Sequence, residues 1–441
     1  MDAYEEIFSR IMSWQSNFWM ALELRNAEIF PNDVYAGEVI VAAKSFARMH
    51  QTQVQNEDKI HFLLTFPQMT TESFPPEIIR EILLKASVKS LLRCKSVCKD
   101  WYSLISDHHF IKKHYSLSST NNINYKHHRL IYNTPGKDLY SCPLYDVLFD
   151  ESVVNNALQL ENPLQRTRSQ RVSIIGSCNG LLCILVTDDN TLFIYNPSTR
   201  TTNILPPSKQ VVSALRFSYG FGYDETNHDY KVVKLWRCEQ PSPPYWDTLI
   251  YSLKAGSWKA IGRFPFVNPF NDGMFLNGAL HWANGYATWT SQDIVALDLG
   301  KKTYSEVLQP EYDEGRKRLT LGVFGEWLSV FCNYYEKRVV DVWVMKVYGV
   351  KDSWTKLLSI PHLSDRNSVP LYMKIHAPLC TSNDGKLLLH LGTKLVVYDC
   401  INGSCSVIEN THKFRDACIV VESLISPFAP LGLGDNNGDE N

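Results

Sequence analysis

Apolar residues fall at helical spacing between Pro75 and Asp107, and after Arg129 they alternate with polar ones. That change of period divides the chain. In the first stretch, FPPEIIREILLKASVKSLLRCKSVCKDWYSLISD (74–107), Pro75 and Pro76 stand where a helix begins. Proline fixes φ and loses no needed hydrogen bond in the first turn. Ile78, Ile79, Ile82 and Leu83 then form one apolar stripe. Ser87 is placed to cap a second helical run, along which Val88, Leu91, Leu92, Cys98, Trp101, Leu104 and Ile105 recur. Lys89, Arg93, Lys95 and Lys99 are left for solvent. Two or three short helices with apolar residues on more than one face bury little alone and need a neighbour or a partner.

Upstream, Ile7, Phe8, Ile11, Met12, Trp14, Phe18, Trp19, Leu22 and Leu24 predict an aromatic-rich helical run. Pro31 and Asn32 interrupt it, and 34–49 reads as a second helix. Residues 1–69 are thus expected to be a helical extension resting on the neighbouring domain.

Downstream, runs such as VSIIGSCNGLLCILV, TLFIYNPSTRTTNILP, DIVALDLGKKTYSEVL and KLLLHLGTKLVVYDCINGSCSVIE alternate β-branched or aromatic residues with polar ones. NPSTRTTNILP, SLKAGSWKAI, DLGKKTYSEVL, YGVKDSWTKL and DCINGSCSVI form a coarse repeat. A period of roughly 40–50 residues holding four strands predicts propeller blades. About six are expected, seven being the alternative, with the run near His128–Tyr140 and the C-terminal IVVESLI closing the ring. The last stretch, 429–441, is rich in glycine, asparagine and acid and reads as disordered.

Most residues that stand out in the β-rich part have structural reasons. Asn179 and Gly180 suit the positive φ of a tight hairpin, and Asn196-Pro197-Ser198 turns the chain. Gly220 and Gly222 are expected to allow close strand approach at a blade corner, and Arg200 to hold a turn carboxylate or carbonyl. Trp258, Trp282, Trp343 and Trp354 supply apolar area between blades. Asp224, Glu225 and Asp229 read as turn residues, without the spacing of a calcium loop.

A net charge of -2 gives no global pull toward nucleic acid or anionic membrane. Locally, Asp2, Glu5, Glu6, Glu23, Glu28, Asp33, Glu38, Glu57, Asp58 and Glu72 make the first 73 residues acidic, while 74–113 hold eight Lys/Arg against four Asp/Glu. The eleven cysteines include no C-x-x-C pair, which points to neither a zinc site nor a disulfide framework. No basic secretory leader and no apolar run of about 18 residues is seen, so a cytoplasmic or nuclear protein without a membrane span is expected. Asn402-Gly403-Ser404 reads as a hairpin turn rather than a glycosylation site. No phosphate loop, nucleophile elbow or metalloprotease helix occurs, and no catalytic, metal or cofactor site is predicted.

The stretch from Phe74 resembles the F-box of plant F-box proteins. The resemblance rests on Pro75, Glu77, Ile78, Ile82, Leu83, Leu84, Val88, Lys89, Ser90, Leu91, Leu92, Arg93, Val97, Cys98, Lys99, Trp101 and the closing LISD. Phe74, where leucine is usual, is expected to keep the apolar contact. Ser87, where the family usually has proline, makes the inter-helix loop less rigid, partly offset by its capping hydroxyl, and is expected to weaken the family's adaptor binding somewhat. GSCNGLLC (176–183), YNPSTR (195–200), GFGYD and DYKVV (220–233), LNGALHW (276–282) and VWVMKVYGVKDSWTKL (342–357) are similar to the type 1 F-box-associated domain, a kelch-like domain also found in S-locus F-box proteins. With the extension 1–69 and the tail 429–441 outside it, the resemblance implies an α+β multidomain chain: an all-α F-box 70–111 followed by an all-β propeller 112–428. It also implies a non-catalytic substrate receptor whose helices dock on a Skp-type adaptor, and through it on a cullin, while loops on one propeller face hold a target protein. Pro75, Ile78, Ile82, Leu83, Val88, Leu91, Leu92, Val97 and Trp101 are the implied adaptor contacts. Target loops are expected around 238–246, 284–292 and 334–338. The alternatives are a propeller enzyme or ligand-binding module without a ubiquitin role, and an F-box protein acting as an assembly factor.

Overall fold

A computed structural model describes residues 76–120, 125–135, 138–149, 157–160, 171–208, 216–240, 242–265, 269, 271–283, 294–362, 375–382, 384–408 and 413–428. The extension expected over 1–69 and the tail expected over 429–441 lie outside the described residues, as do Phe74 and Pro75. The chain divides into two compact units, Met1–Thr120 and Asn121–Asn441.

The described part of the first unit is helical: α1 (Pro76–Leu84), α2 (Val88–Cys94), α3 (Lys99–Ser106) and α4 (His108–Thr120). α4 is continuous across 111–112 and falls wholly in this unit.

The second unit is a six-bladed propeller, each blade a four-stranded antiparallel sheet. The first blade carries β1 (His128–Asn133), β2 (Leu139–Pro143), the short helix α5 (Leu144–Phe149) and β3 (Leu158–Leu160). The second is β4 (Val172–Cys178), β5 (Leu181–Val186), β6 (Thr191–Asn196) and β7 (Thr201–Ile204), and the third β8 (Phe217–Asp224), β9 (Asp229–Cys238), β10 (Tyr245–Ser252) and β11 (Ser257–Phe264). The fourth is β12 (Met274–Leu276), β13 (Ala279–Ala283), β14 (Ile294–Asp298) and β15 (Thr303–Val307). The fifth is β16 (Lys317–Phe324), β17 (Trp327–Tyr334), β18 (Val339–Met345) and β19 (Trp354–Pro361). The sixth is β20 (Ile375–Thr381), β21 (Lys386–Leu391), β22 (Lys394–Asp399) and β23 (Ser404–Ile408). The last strand, β24 (Ala417–Val421), pairs with β1 and becomes the innermost strand of the first blade.

This closure, expected from the two terminal runs, joins the ends of the ring by main-chain hydrogen bonds and leaves no open blade edge there. Side chains lock it. The Asp416 main-chain N–H donates to Asn133 Oδ1 at 2.7 Å, while Asp416 Oδ2 accepts from Asn133 Nδ2, Ser173 Oγ and the Ile174 N–H. Beyond β24, Asn196 Nδ2 donates to the carbonyls of Ser423 and Ile425, which fastens the following segment along the second blade.

Six apolar clusters fill the spaces between neighbouring blades among the described residues. Trp282 is fully buried between the third and fourth blades, and Trp354 and Trp343 pack between the fourth and fifth. Gly220 and Gly222 do not sit at a blade corner. They lie on the innermost strand β8, facing the fourth blade, where a Cβ on Gly220 would fall 2.8 Å from Leu280 Cδ1. Close approach is the reason for the glycine, as expected, but a neighbouring blade's side chain is what approaches.

The sequence repeat has a local cause. Third strands end on Asn196, Asp298 and Asp399, whose side-chain oxygens accept from main-chain N–H groups two and three residues on, closing the outer hairpin. Asn402-Gly403 is one of these turns, with Gly403 at φ 63°. In the hairpin between β4 and β5, Asn179 and Gly180 have φ 51° and 79°, the type I′ pair that strand twist favours. Asp224 and Asp229 flank a turn, as read from the sequence, and also hold a buried cation. Lys231 Nζ lies 2.8 Å from Asp229 Oδ2 and 3.5 Å from Asp224 Oδ2.

Because each blade is a simple meander, its first-to-second and third-to-fourth turns open on one face of the ring. Second-to-third turns and the connections between blades open on the other. Within this unit β1 begins, and β24 ends, on the face of the first-to-second turns.

Candidate docking surfaces

In the helical unit the starts of α2, α3 and α4 are each capped by a side chain. Ser87 Oγ accepts from the Ser90 N–H at 3.2 Å, the Cys98 thiol from the Trp101 N–H at 3.5 Å, and Asp107 Oδ1 from the Phe110 N–H at 2.9 Å. Ser87 has φ -64°, the value proline would impose. The position therefore keeps the backbone of the family pattern and adds a cap.

Leu83, Leu84, Val88, Leu91, Cys94, Trp101, Ile105 and Phe110 are buried. His114 on α4 donates from Nε2 to the Ala86 carbonyl at 2.8 Å, tying α4 to the α1–α2 turn, and burial holds its imidazole below the usual histidine range. The implied adaptor contacts thus fall into two groups. Leu83, Val88, Leu91 and Trp101 are buried; apolar residues on different helix faces look alike in sequence, and burial is what separates this set. Ile82, Leu92 and Val97 are half-buried and remain presented at the surface. Tyr102, which the sequence reading did not single out, is 58% exposed on α3. Pro75 and the side chain of Ile78 lie outside the described residues.

On the propeller, the expected target loops at 238–246 and 334–338 join second to third strands of the third and fifth blades, so the meander brings both to one face. The loop of the third blade exposes Glu239, Gln240, Ser242 and Pro243, and the Arg263 guanidinium stacks 4.1 Å from the centre of the Tyr245 ring. In the fifth blade, Lys337 pairs with Asp313 at 2.5 Å, an ion pair that holds the Asp313 carboxyl below its usual range, and it also lies over Tyr334. Arg316 lies over Tyr335. Residues 284–292 lie outside the described residues.

No group of three or more His, Cys, Asp or Glu side chains arranged to hold a metal ion occurs among the described residues. No described helix is long and apolar enough to cross a membrane. No disulfide joins the cysteines, and burial pushes the thiols of Cys142, Cys332, Cys380 and Cys418 up to about 12.

Comparison with known proteins agrees with both units. An F-box domain model matches residues 72–113, and a model of the F-box associated beta propeller domain matches 137–423. The F-box/kelch-repeat protein At3g23880 of Arabidopsis thaliana is 32% identical over 376 residues, covering 82% of this chain and 98% of that protein. The F-box protein CPR1 of Arabidopsis thaliana is 30% identical over 389 residues, covering 80% and 89%. Among solved structures, one in a nidogen/laminin complex is similar at a TM-score of 0.44 with 10% identity, covering 67% of this chain and 99% of that one. The residues quoted for the F-box and for the F-box-associated domain fall inside the two matched regions almost throughout, and the chain belongs to the family of F-box proteins that carry an F-box-associated β-propeller.

Proposed function

We propose that the protein is the substrate-recognition subunit of a Skp-cullin-F-box ubiquitin ligase. The observation that carries this reading is the union, in one chain, of an F-box helical unit and an F-box-associated β-propeller. The F-box presents Ile82, Leu92, Val97 and Tyr102 to a Skp-type adaptor, while the buried Leu83, Val88, Leu91 and Trp101 hold the helices in register. The adaptor links the chain to a cullin. The loops at 238–246, 284–292 and 334–338 hold a target protein on the face opposite to that on which β1 begins.

In this reading the chain performs no covalent chemistry. It raises the effective concentration of target lysines near a charged conjugating enzyme, a gain that arises from tethering alone. It works in the cytoplasm or nucleus, where adaptor and cullin meet it.

Co-purification from cells tests this. The full chain should bring down a Skp-type adaptor and a cullin, and a Leu92→Asp, Val97→Asp variant should bring down neither while still capturing the target. These half-exposed sites are chosen because substitution of Leu91 or Trp101 would disrupt the unit's own core. Retention of both partners by the variant would contradict the reading. A thermal shift of the full chain with a sugar or nucleotide would favour a ligand-binding propeller instead.

A further inference from the structure

From Ile82 to Lys99 the chain carries five cations, Lys85, Lys89, Arg93, Lys95 and Lys99, and no carboxylate. Four are exposed; Lys95 is half-buried, its ammonium 5.7 Å from the centre of the exposed Tyr102 ring. Among the described residues none of the five forms an ion pair with a carboxylate. Helix electrostatics accounts for Arg93 and Lys95 at the end of α2, where positive charge is favourable. It does not account for Lys89 and Lys99, which stand in the first turns of α2 and α3 against the positive end of the dipole. Lys89 and Arg93 also stand four residues apart on one helix face, so they repel. The helices would be better served by neutral residues at these places, and the charge asks for another reason.

The cations are interleaved with the half-buried apolar residues. Leu92 is three residues from Lys89 on α2, and Tyr102 three from Lys99 on α3, so each apolar side chain has a cation for neighbour on the same face. We propose that this stripe is the electrostatic half of the docking surface, and that it takes a carboxylate-rich stretch of the partner protein beside the apolar contact of Ile82, Leu92 and Val97. The proposal rests on the reading of α1–α3 as an adaptor dock and specifies the chemistry of the adaptor surface that faces it. Nucleic acid fits less well, because a phosphate backbone has no use for the interleaved apolar side chains and the chain as a whole is net negative.

The test is the association rate of the full chain with a purified Skp-type adaptor, followed by stopped flow from about 50 to 500 mM NaCl. The parent rate should fall about tenfold or more across that range. A Lys89→Gln, Arg93→Gln, Lys99→Gln variant, with the parent's melting temperature, should associate about tenfold more slowly at low salt and change less than about twofold with salt. Its dissociation rate should stay near the parent value. A variant with the parent's rate and salt slope would overturn the proposal. So would one that associates faster, since that assigns the stripe to carboxylates of the chain's own acidic first 73 residues. Parent retention on a duplex oligonucleotide that the variant loses, with adaptor binding unaltered, would assign it to nucleic acid. Leu92→Asp separates the two claims: normal binding by that variant alone contradicts the apolar dock, whereas loss of salt dependence in the triple variant alone still supports the stripe.

Discussion

His281 Nε2 accepts a hydrogen bond from the Tyr348 hydroxyl at 2.7 Å, while its Nδ1 donates to the Met274 carbonyl at 3.1 Å. The imidazole is fully buried in the fourth blade, and Tyr348 lies in the outer hairpin of the fifth, so a neutral histidine bridges two blades. Burial pushes its pKa down to about 4. A histidine whose folded pKa is lowered stabilises above its unfolded value of 6.5 and loses that contribution as pH falls toward 4. Comparison of the parent with His281→Gln isolates this effect, because Asp272, raised to about 7 by burial, works in the opposite direction in both proteins. Thermal and denaturant unfolding should show the parent's advantage shrinking by about 3 kcal/mol between pH 7.5 and 4. A gap that stays constant over this range would contradict the assignment. Tyr348→Phe should cost about 1 kcal/mol at neutral pH.

Lys231 is the only cation within ion-pair distance of the buried carboxylates of Asp224 and Asp229 among the described residues. Removing it would leave two buried carboxylates without a counter-charge, held only by hydrogen bonds from Asn227, the Ser252 hydroxyl and the Lys254 N–H. Lys231→Met should therefore destabilise the propeller by about 3–5 kcal/mol in chemical denaturation, far beyond the loss expected for an exposed pair. A loss below about 1 kcal/mol would mean that the network is better solvated than its geometry indicates.

Ser87 separates capping from backbone restriction. Ser87→Ala removes the bond to the Ser90 N–H and should cost about 1 kcal/mol. Ser87→Pro also loses the cap, but its φ is already set at -64°, so reduced freedom in the unfolded chain offsets much of the loss. The prediction is a net loss clearly smaller than that of Ser87→Ala, measured by denaturant unfolding. A loss as large as that of Ser87→Ala would show that the cap outweighs the restriction.

The fold was legible where its causes are local. Asn179-Gly180, Asn196, Asp298 and Asp399 each close a turn within three residues, so their spacing exposed the blade repeat. Even ring closure could be read, because the runs at His128 and Ala417 lacked full blades of their own. Distant contacts left no such trace. His281 and Tyr348 are 67 positions apart, and nothing near either marks the other. The same limit applied to the helical unit. Leu91 and Leu92 are adjacent leucines on one short helix, yet one is buried in the unit and the other reaches its surface. Only the packing of α1, α3 and α4 decides which is which.

The most direct measurement of the central claim is the affinity of the full chain for a Skp-type adaptor, with and without Leu92→Asp, by isothermal titration. The account predicts clear binding by the parent and at least about a hundredfold loss in the variant, since a carboxylate would be buried against an apolar partner surface. The propeller's melting transition should not move. Equal affinity of the two proteins, or no binding by a folded parent, would contradict it.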